Sequence, residues 1–472
     1  MRLPFSRRAG ISRLRSITHG EPLGRTRIIL YNDGGRSHET NVINASRHLR
    51  DIPLRPTADG TRGFARYTAF ATAVTVLGYS LGYSTIGFGL LFLGALWGLG
   101  RYRVFLWTRT PLDLPLAVFG GVLVISAVAS PYRGLASGVT LMLLISGAVY
   151  LGSFVWLLER DAALRSTLLR LWAIGAVIAA LVGLAYSSTT HVQILITSWS
   201  SALSHARAEI PRGVGPNGLG TTLLLGSIVS LGLAFKSSDW DRWLWAGAGV
   251  VCLAGLVASG SRASLAGWGF GTAYLVWREL RARPARMAAV TIAGLVLLIG
   301  ITAATPQFTN RLIHTPADVA GNRVEIWHTS FQMIAARPFL GTGFGTFETA
   351  YDKWRSPRMS PEPFAFNLWL NLAVETGLVG LGAALWVAVA ALQAWRSGRW
   401  RRQGVATDVA RHGQLWRPVI AALWVGLLVD QFADNTLFSI STSAVLWLLL
   451  ALLVVPNERT GSWSDVVESD GR

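Results

Sequence analysis

Three arginines lie beside long apolar runs: Arg212 ahead of Pro216-Asn217, Arg262 in Ser259-Gly260-Ser261-Arg262, and Arg323 after Asn322. A planar guanidinium grips phosphate oxygens through two parallel hydrogen bonds and keeps its charge in a partly buried site. Such residues gathered at one membrane face point to an anionic ligand. The bland reading of any one of them is snorkelling, or a salt bridge to a neighbouring carboxylate. Three converging beside a long loop favour the ligand. Two carboxylates join them. Asp434-Asn435 lies in a turn between two apolar runs. Glu375 lies about ten residues inside another run, roughly 15 Å deep at the helical rise. A carboxylate at that depth faces a partner or a cavity, so a bundle ion pair and a functional site stand as equal readings.

The elements that must position these groups are membrane helices. Of 472 residues, 51% are hydrophobic and only 14% charged, too few charges to cover a soluble surface of this size. The apolar residues come in runs long enough for a bilayer core, which needs about 20 helical residues. Spans are expected near 66–83, 84–100, 113–130, 135–157, 167–186, 217–235, 243–259, 262–278, 286–304, 366–394, 418–434 and 436–455. The first two share a Gly/Tyr/Ser hinge and are expected to form a tight hairpin. The span at 366–394 is long enough to tilt or to extend beyond the bilayer. Twenty tryptophans suit membrane interfaces, and frequent Gly and Ala suit close helix packing.

Arginine placement orients the bundle. Thirteen arginines run from Arg2 to Arg66, and others cluster at 101–109, 278–286 and 396–417. With twelve spans and a cytoplasmic N-terminus, all these segments fall on the cytoplasmic side, as do both termini. The net charge of +18 is therefore mostly a topology signal, and nucleic acid is not an expected partner. The expected organisation is a basic, disordered cytoplasmic tail at 1–65 lying against anionic lipid, a membrane domain at 66–455, and a cytoplasmic tail at 456–472. The first segment has no apolar run of signal-peptide length. Cys252 alone allows no disulfide framework, and eight scattered histidines show no zinc-site spacing.

Two longer segments fall on the outer side, 187–216 and about 305–365. Loops as long as the second, roughly sixty residues, are usually functional. Part of it reads as a helix, with Asn322 as cap and Val324, Trp327, Phe331 and Ile334 at helical spacing. Pro338 ends it before the turn-rich Gly341-Thr342-Gly343-Phe344-Gly345. That turn is no dinucleotide fingerprint, because no strand precedes it; it backs the helix and could offer backbone N–H groups to an anion. Asp239-Trp240-Asp241 has the spacing used by metal-dependent sugar transferases. It lies in a short cytoplasmic loop with no soluble domain to hold a nucleotide, and reads as solvated.

The chain resembles the O-antigen ligase and polymerase family of bacterial envelope biogenesis. The resemblance rests on Arg212 with Gly215-Pro216-Asn217, on Ser259-Gly260-Ser261-Arg262-Ala263, and on Asn322-Arg323 with Ile326-Trp327. It continues through Arg337-Pro338-Phe339-Leu340-Gly341-Thr342-Gly343-Phe344-Gly345-Thr346-Phe347, Asn367-Leu368-Trp369-Leu370 and Glu375-Thr376-Gly377-Leu378-Val379-Gly380. The set stands in family order over about 205–385. The resemblance implies an all-α integral membrane protein of about twelve transmembrane helices with a large periplasmic loop between spans nine and ten, in the bacterial inner membrane. It implies a metal-independent glycosyltransferase without a cofactor. Such an enzyme moves a glycan from undecaprenyl diphosphate to a hydroxyl, on lipid A-core for a ligase or on another lipid-linked unit for a polymerase. A chain-length regulator would be a further partner.

By the same resemblance Arg262 and Arg323 are the catalytic residues that hold the diphosphate. Arg212 lines the acceptor or lipid path, and Asn217, Asn367, Glu375 and Asp434 complete the substrate-binding set, with no metal ligand. One position departs. Ligases of this family usually carry a histidine before the motif's asparagine, where this chain has Phe366 before Asn367. Phenylalanine cannot take a proton, so another group serves, the acceptor differs, or the protein is not a ligase. His314, His328, Asp318 and Glu325 are the outer-side substitutes. The departure favours polymerase over ligase. The rival from another class is a transporter or flippase of lipid-linked sugar, which calls for paired broken helices and midplane charges. The chain shows one midplane carboxylate and no evident symmetry between its halves.

Overall fold

The computed structural model describes residues 29–31, 37–39, 58–104, 106–161, 163–197, 215–304, 317–397, 408–436 and 443–455. The chain divides into two units, Met1–Thr57 and Ala58–Arg472. In the first, β1 (Ile29–Tyr31) pairs antiparallel with β2 (Ser37–Glu39), Ile29 opposite Glu39 and Tyr31 opposite Ser37. The stretch expected to be a disordered tail thus contains this ribbon and, from Ala58, the start of a helix. The signal for the ribbon is in the sequence: Ile28-Ile29-Leu30-Tyr31 is strand-prone, and Asn32-Asp33-Gly34-Gly35 is turn chemistry.

The described residues of the second unit are helical. In chain order they form α1 (Ala58–Ser80), α2 (Ser84–Tyr102), α3 (Asp113–Ala129), α4 (Arg133–Arg160), α5 (Ala163–Thr197), α6 (Pro216–Lys236) and α7 (Asp239–Ser259). There follow α8 (Arg262–Leu280), α9 (Pro284–Ala303), α10 (Ala317–Ala336), α11 (Phe347–Trp354), α12 (Leu368–Ser397), α13 (Asp408–Gln431) and α14 (Ser443–Val454). Each apolar run read from the sequence overlaps one of these helices, with residues 437–442 of the last run outside the described residues. Seven of them, α2, α4, α5, α6, α7, α9 and α12, are long and apolar enough to cross a membrane. α9 buries no residue, and Ile292, Leu295, Val296 and Ile299 are all well exposed on it. An apolar helix so exposed would be a large adhesive patch in water; its solvent is lipid. The fold is an all-α, multi-pass membrane fold.

α6 is buried along most of its length and packs against α5, α7, α8 and α13. α8 crosses α13 at backbone contact. A Cβ on Gly267 would stand 2.4 Å from the Gly426 carbonyl oxygen, and one on Gly271 2.8 Å from that of Ala422. Small residues at the crossing are what let these backbones approach, and they hold the start of α8 beside the end of α13.

α12 differs from the single long span expected. It is two helical segments joined at Gly377, whose φ of 67° and ψ of −177° are not helical. The break exposes backbone groups, and the 338–343 segment takes them up. Thr342 N–H donates to the Val374 carbonyl at 3.0 Å, Gly343 N–H to that of Glu375 at 2.7 Å, and Leu378 N–H to that of Pro338 at 2.7 Å. Ser126 of α3 adds a bond to the Leu340 carbonyl at 2.6 Å, and Ser130 donates to that of Thr342.

The expected loop helix exists as α10, but it begins at Ala317, so Asn322 lies inside it and does not cap it. Pro316 and Asp318 supply the start signals that Asn322 was read as giving. α10 and the short α11 rest on the first half of α12 around their own apolar cluster of Ile326, Met333, Phe347, Tyr351, Met359 and Val374. Asp239 and Asp241, expected in a loop, fall in the first turn of α7, where a helix end favours carboxylates.

Candidate functional site

Arg262 is the first residue of α8, with an exposed side chain. The turn before it sets its place: Gly260 is left-handed at φ 65°, and the Ser261 hydroxyl caps the helix by accepting from the Ser264 N–H at 3.4 Å. Arg323 comes from α10 and is half-buried. Its Nη1 donates to the Ala433 carbonyl at 3.2 Å, and its guanidinium carbon lies 5.0 Å from the centroid of the Phe366 ring. Burial pushes the Arg323 guanidinium below the ordinary arginine value; the Asp434 carboxylate opposes this, the Arg262 charge adds to it, and Glu362 opposes it again. The structure therefore brings Arg262, Arg323 and Asp434 into one electrostatic neighbourhood. A guanidinium does not deprotonate in proteins. Two of them in each other's field make a place where an anion is welcome.

Glu362 belongs to the same neighbourhood, and sequence reasoning missed it. Burial pushes its carboxyl above the usual range and Arg323 draws it down. Nothing local in Pro361-Glu362-Pro363 marks it, because only the fold carries Arg323 there. Tyr351 of α11 stands nearby, its phenol pushed up by burial first and then by Glu325 and Glu362, with Arg355 opposing.

Asn367 is tied to this cluster through the turn after α13. Its Nδ2 donates to the Phe432 carbonyl at 2.9 Å, while its Oδ1 accepts from the Leu370 N–H at 3.0 Å and so caps α12. Asp434 is buried, and its Oδ1 accepts from the Asn435 N–H at 2.8 Å. Asn217 stands in the first turn of α6, its carbonyl 3.3 Å from the Thr221 hydroxyl. Beneath lies a buried polar network. Asp430 Oδ1 accepts from the Ser264 hydroxyl at 2.8 Å, and Oδ2 from the Thr221 hydroxyl and the Gln431 amide, each at 2.8 Å. Asp430 was also missed, although a carboxylate inside the expected span 418–434 carried the same signal as Glu375.

Glu375 is 4% exposed and serves the glycine-rich turn. Its Oε1 accepts from the Phe347 N–H at 3.0 Å, and the backbone of Gly345 and Thr346 and the side chain of Asn371 also hydrogen-bond it. The anion expected at this turn is thus a side chain of the protein itself. It sits at the start of α11, where the helix offers free N–H groups.

Phe366 is half-buried, has a φ of 52°, and packs against Phe364 at 4.7 Å between ring centroids. Of the outer-side substitutes, His328 is exposed on α10 and Glu325 half-buried. Arg212, His314 and the side chain of Asp318 lie outside the described residues.

Residues 247–385 match the model of the O-antigen ligase family. The match holds Arg262, Arg323, Phe366, Asn367 and Glu375, and it bears out the family resemblance over that stretch. Asn217, Asp430 and Asp434 fall outside it. No curated protein matches the chain.

Proposed function

We propose that the protein is a membrane glycosyltransferase that transfers or polymerises glycan from undecaprenyl diphosphate at the periplasmic face, as part of cell-surface polysaccharide synthesis. The observation that carries this reading is that both arginines are tied to the end of α13, Arg323 through the Ala433 carbonyl at 3.2 Å and the Arg262 turn through the Ser264–Asp430 bond at 2.8 Å, so that each lies in the other's field beside Asp434. The acceptor hydroxyl oxygen bonds to the anomeric carbon, and its proton passes to the departing diphosphate. The bond from that carbon to the diphosphate breaks, and its electron pair leaves with the lipid diphosphate. That leaving group departs readily once its charge is neutralised, and two guanidiniums supply the neutralisation without a metal. Asn217, Asn367 and Asp434 line the same region, with Glu375 holding the adjoining turn in shape.

The test is substitution. Arg262→Ala and Arg323→Ala should each abolish glycan transfer while the protein still inserts. Arg→Lys at either should be severely impaired, because an ammonium cannot reproduce the guanidinium fork. Near-normal transfer by both lysine variants would remove the bidentate reading. Between the two acceptors we favour the polymerase, on Phe366. A deletion strain should then keep short capped products and lose long chains on a gel of envelope glycans. Bare core with long carrier-linked chains would mean a ligase instead.

A further inference from the structure

Asp430, like Asp434, has no exposed surface. A buried carboxylate is a poor source of stability, since apolar residues of similar volume often serve as well. What it supplies here is geometry. Through Ser264 at 2.8 Å it holds the first turn of α8, the turn that begins with Arg262. Through Thr221 at 2.8 Å it holds the second turn of α6. Its own backbone carbonyl accepts from the Ala433 N–H at 3.1 Å. Its neighbour Gln431 binds Thr436 twice, Nε2 to Oγ1 at 2.8 Å and the Thr436 N–H to Oε1 at 3.1 Å. The 432–436 turn is therefore locked at both ends, and this is the turn whose Ala433 carbonyl receives Arg323 and whose Phe432 carbonyl receives Asn367.

We propose that Asp430 is a positioning residue that sets Arg262 and Arg323 in one frame, so that both can engage the same diphosphate. The inference rests on the reading of those arginines as the diphosphate site. Asp430 touches no substrate; it acts through the α8 turn on one side and the 432–436 turn on the other.

A double-mutant cycle tests it on the full-length protein, with undecaprenyl diphosphate as the probe and its binding as the readout. Asp430→Asn keeps the volume but replaces one acceptor oxygen by a donor, so it cannot hold Ser264 and Thr221 as before. It should weaken probe binding several-fold, within the roughly 2- to 100-fold spanned by coupled residues in one network. In an Arg262→Ala background the same change should cost measurably less, because one of the two residues it sets in a common frame is gone and only its hold on Arg323 remains. Equal losses in both backgrounds, or no loss in either while Arg262→Ala alone weakens binding, would overturn the positioning role and leave the diphosphate reading intact. Normal binding by Arg262→Ala would overturn the diphosphate reading and this inference with it. Should Asp430→Asn fail to fold, Ser264→Ala cuts the Asp430 link to α8, together with a bond to the Ser261 hydroxyl, leaves the 432–436 turn in place, and must show the same dependence on Arg262.

Discussion

Phe366 occupies the position where the family resemblance leads one to expect a histidine, and its ring faces the Arg323 guanidinium at 5.0 Å. Its φ of 52° is unusual for an aromatic residue. Its neighbours hold that conformation: Trp327 Nε1 donates to the Ala365 carbonyl at 2.9 Å, Asn371 Oδ1 accepts from the Ala365 N–H at 3.0 Å, and Asn367 is pinned to Phe432. Phe366→Leu should weaken donor binding by roughly 2- to 20-fold, since a partly desolvated cation–π contact is worth about 0.5–2 kcal/mol. Phe366→Tyr should retain it, and a donor KM unchanged in the leucine variant would show that the ring does not orient Arg323. Glu375→Ala should leave the buried N–H of Phe347 without an acceptor and lower stability by about 1–3 kcal/mol, with Glu375→Gln keeping part of the loss at bay. Thermal unfolding in detergent measures this, and an unshifted midpoint would refute it. Glu362 gives a pH dependence. Its carboxyl is raised in the folded state, so its contribution is favourable at low pH and is lost as pH rises through the folded value. Glu362→Gln should therefore melt above the wild type at neutral pH and together with it near about pH 3, below the ordinary carboxylate range.

Among the elements, α12 does the most to build the site, and it does so by breaking. Its first half, capped by Asn367, carries Asn371 and Glu375, and the kink frees the carbonyls of Val374 and Glu375 to bind the turn at 342–343. A Cβ on Gly377 would stand 2.1 Å from the Phe339 carbonyl oxygen, and the φ of 67° is itself strained for an L side chain. Gly377→Ala should therefore cost more than about 1 kcal/mol of stability and disturb the fit of α10. Gly382→Ala on the same helix meets nothing within 4 Å and should be close to neutral. Equal melting of the two variants would mean that the kink is not what holds the loop.

At the scale of the whole molecule, the membrane divides the labour. Lipid solvates apolar faces such as that of α9, so the bundle interior is free to bury hydroxyls and carboxylates that pair with one another. The arginine-rich segments predict which side the site faces: 305–365 in the periplasm and 396–417 in the cytoplasm. Reporter fusions active only outside the cytoplasm should be active after residue 340 and silent after residue 405. The reverse pattern would remove the periplasmic site, and the lipid-linked donor with it.

Hydropathy and run length are local properties, and they determined the helices and the membrane class; the ordered short motifs carried the family resemblance, which the family match bears out over 247–385. They also marked Arg262 and Arg323 as worth explaining. The meeting of those two residues, sixty-one positions apart by their numbers, was decided by tertiary structure, because it depends on α10 folding back over the end of α13. The same holds for Ser264 and Asp430, which meet where glycines let α8 and α13 touch, and for Glu362, which matters only once Arg323 is beside it. Glu375 shows the division most clearly. The sequence required a partner for a carboxylate at that depth, since an unpaired charge in an apolar interior is too costly to keep. That the partner is the protein's own glycine-rich turn depended on a backbone break at Gly377, and no local pattern of residues specifies where the freed groups will find their bonds.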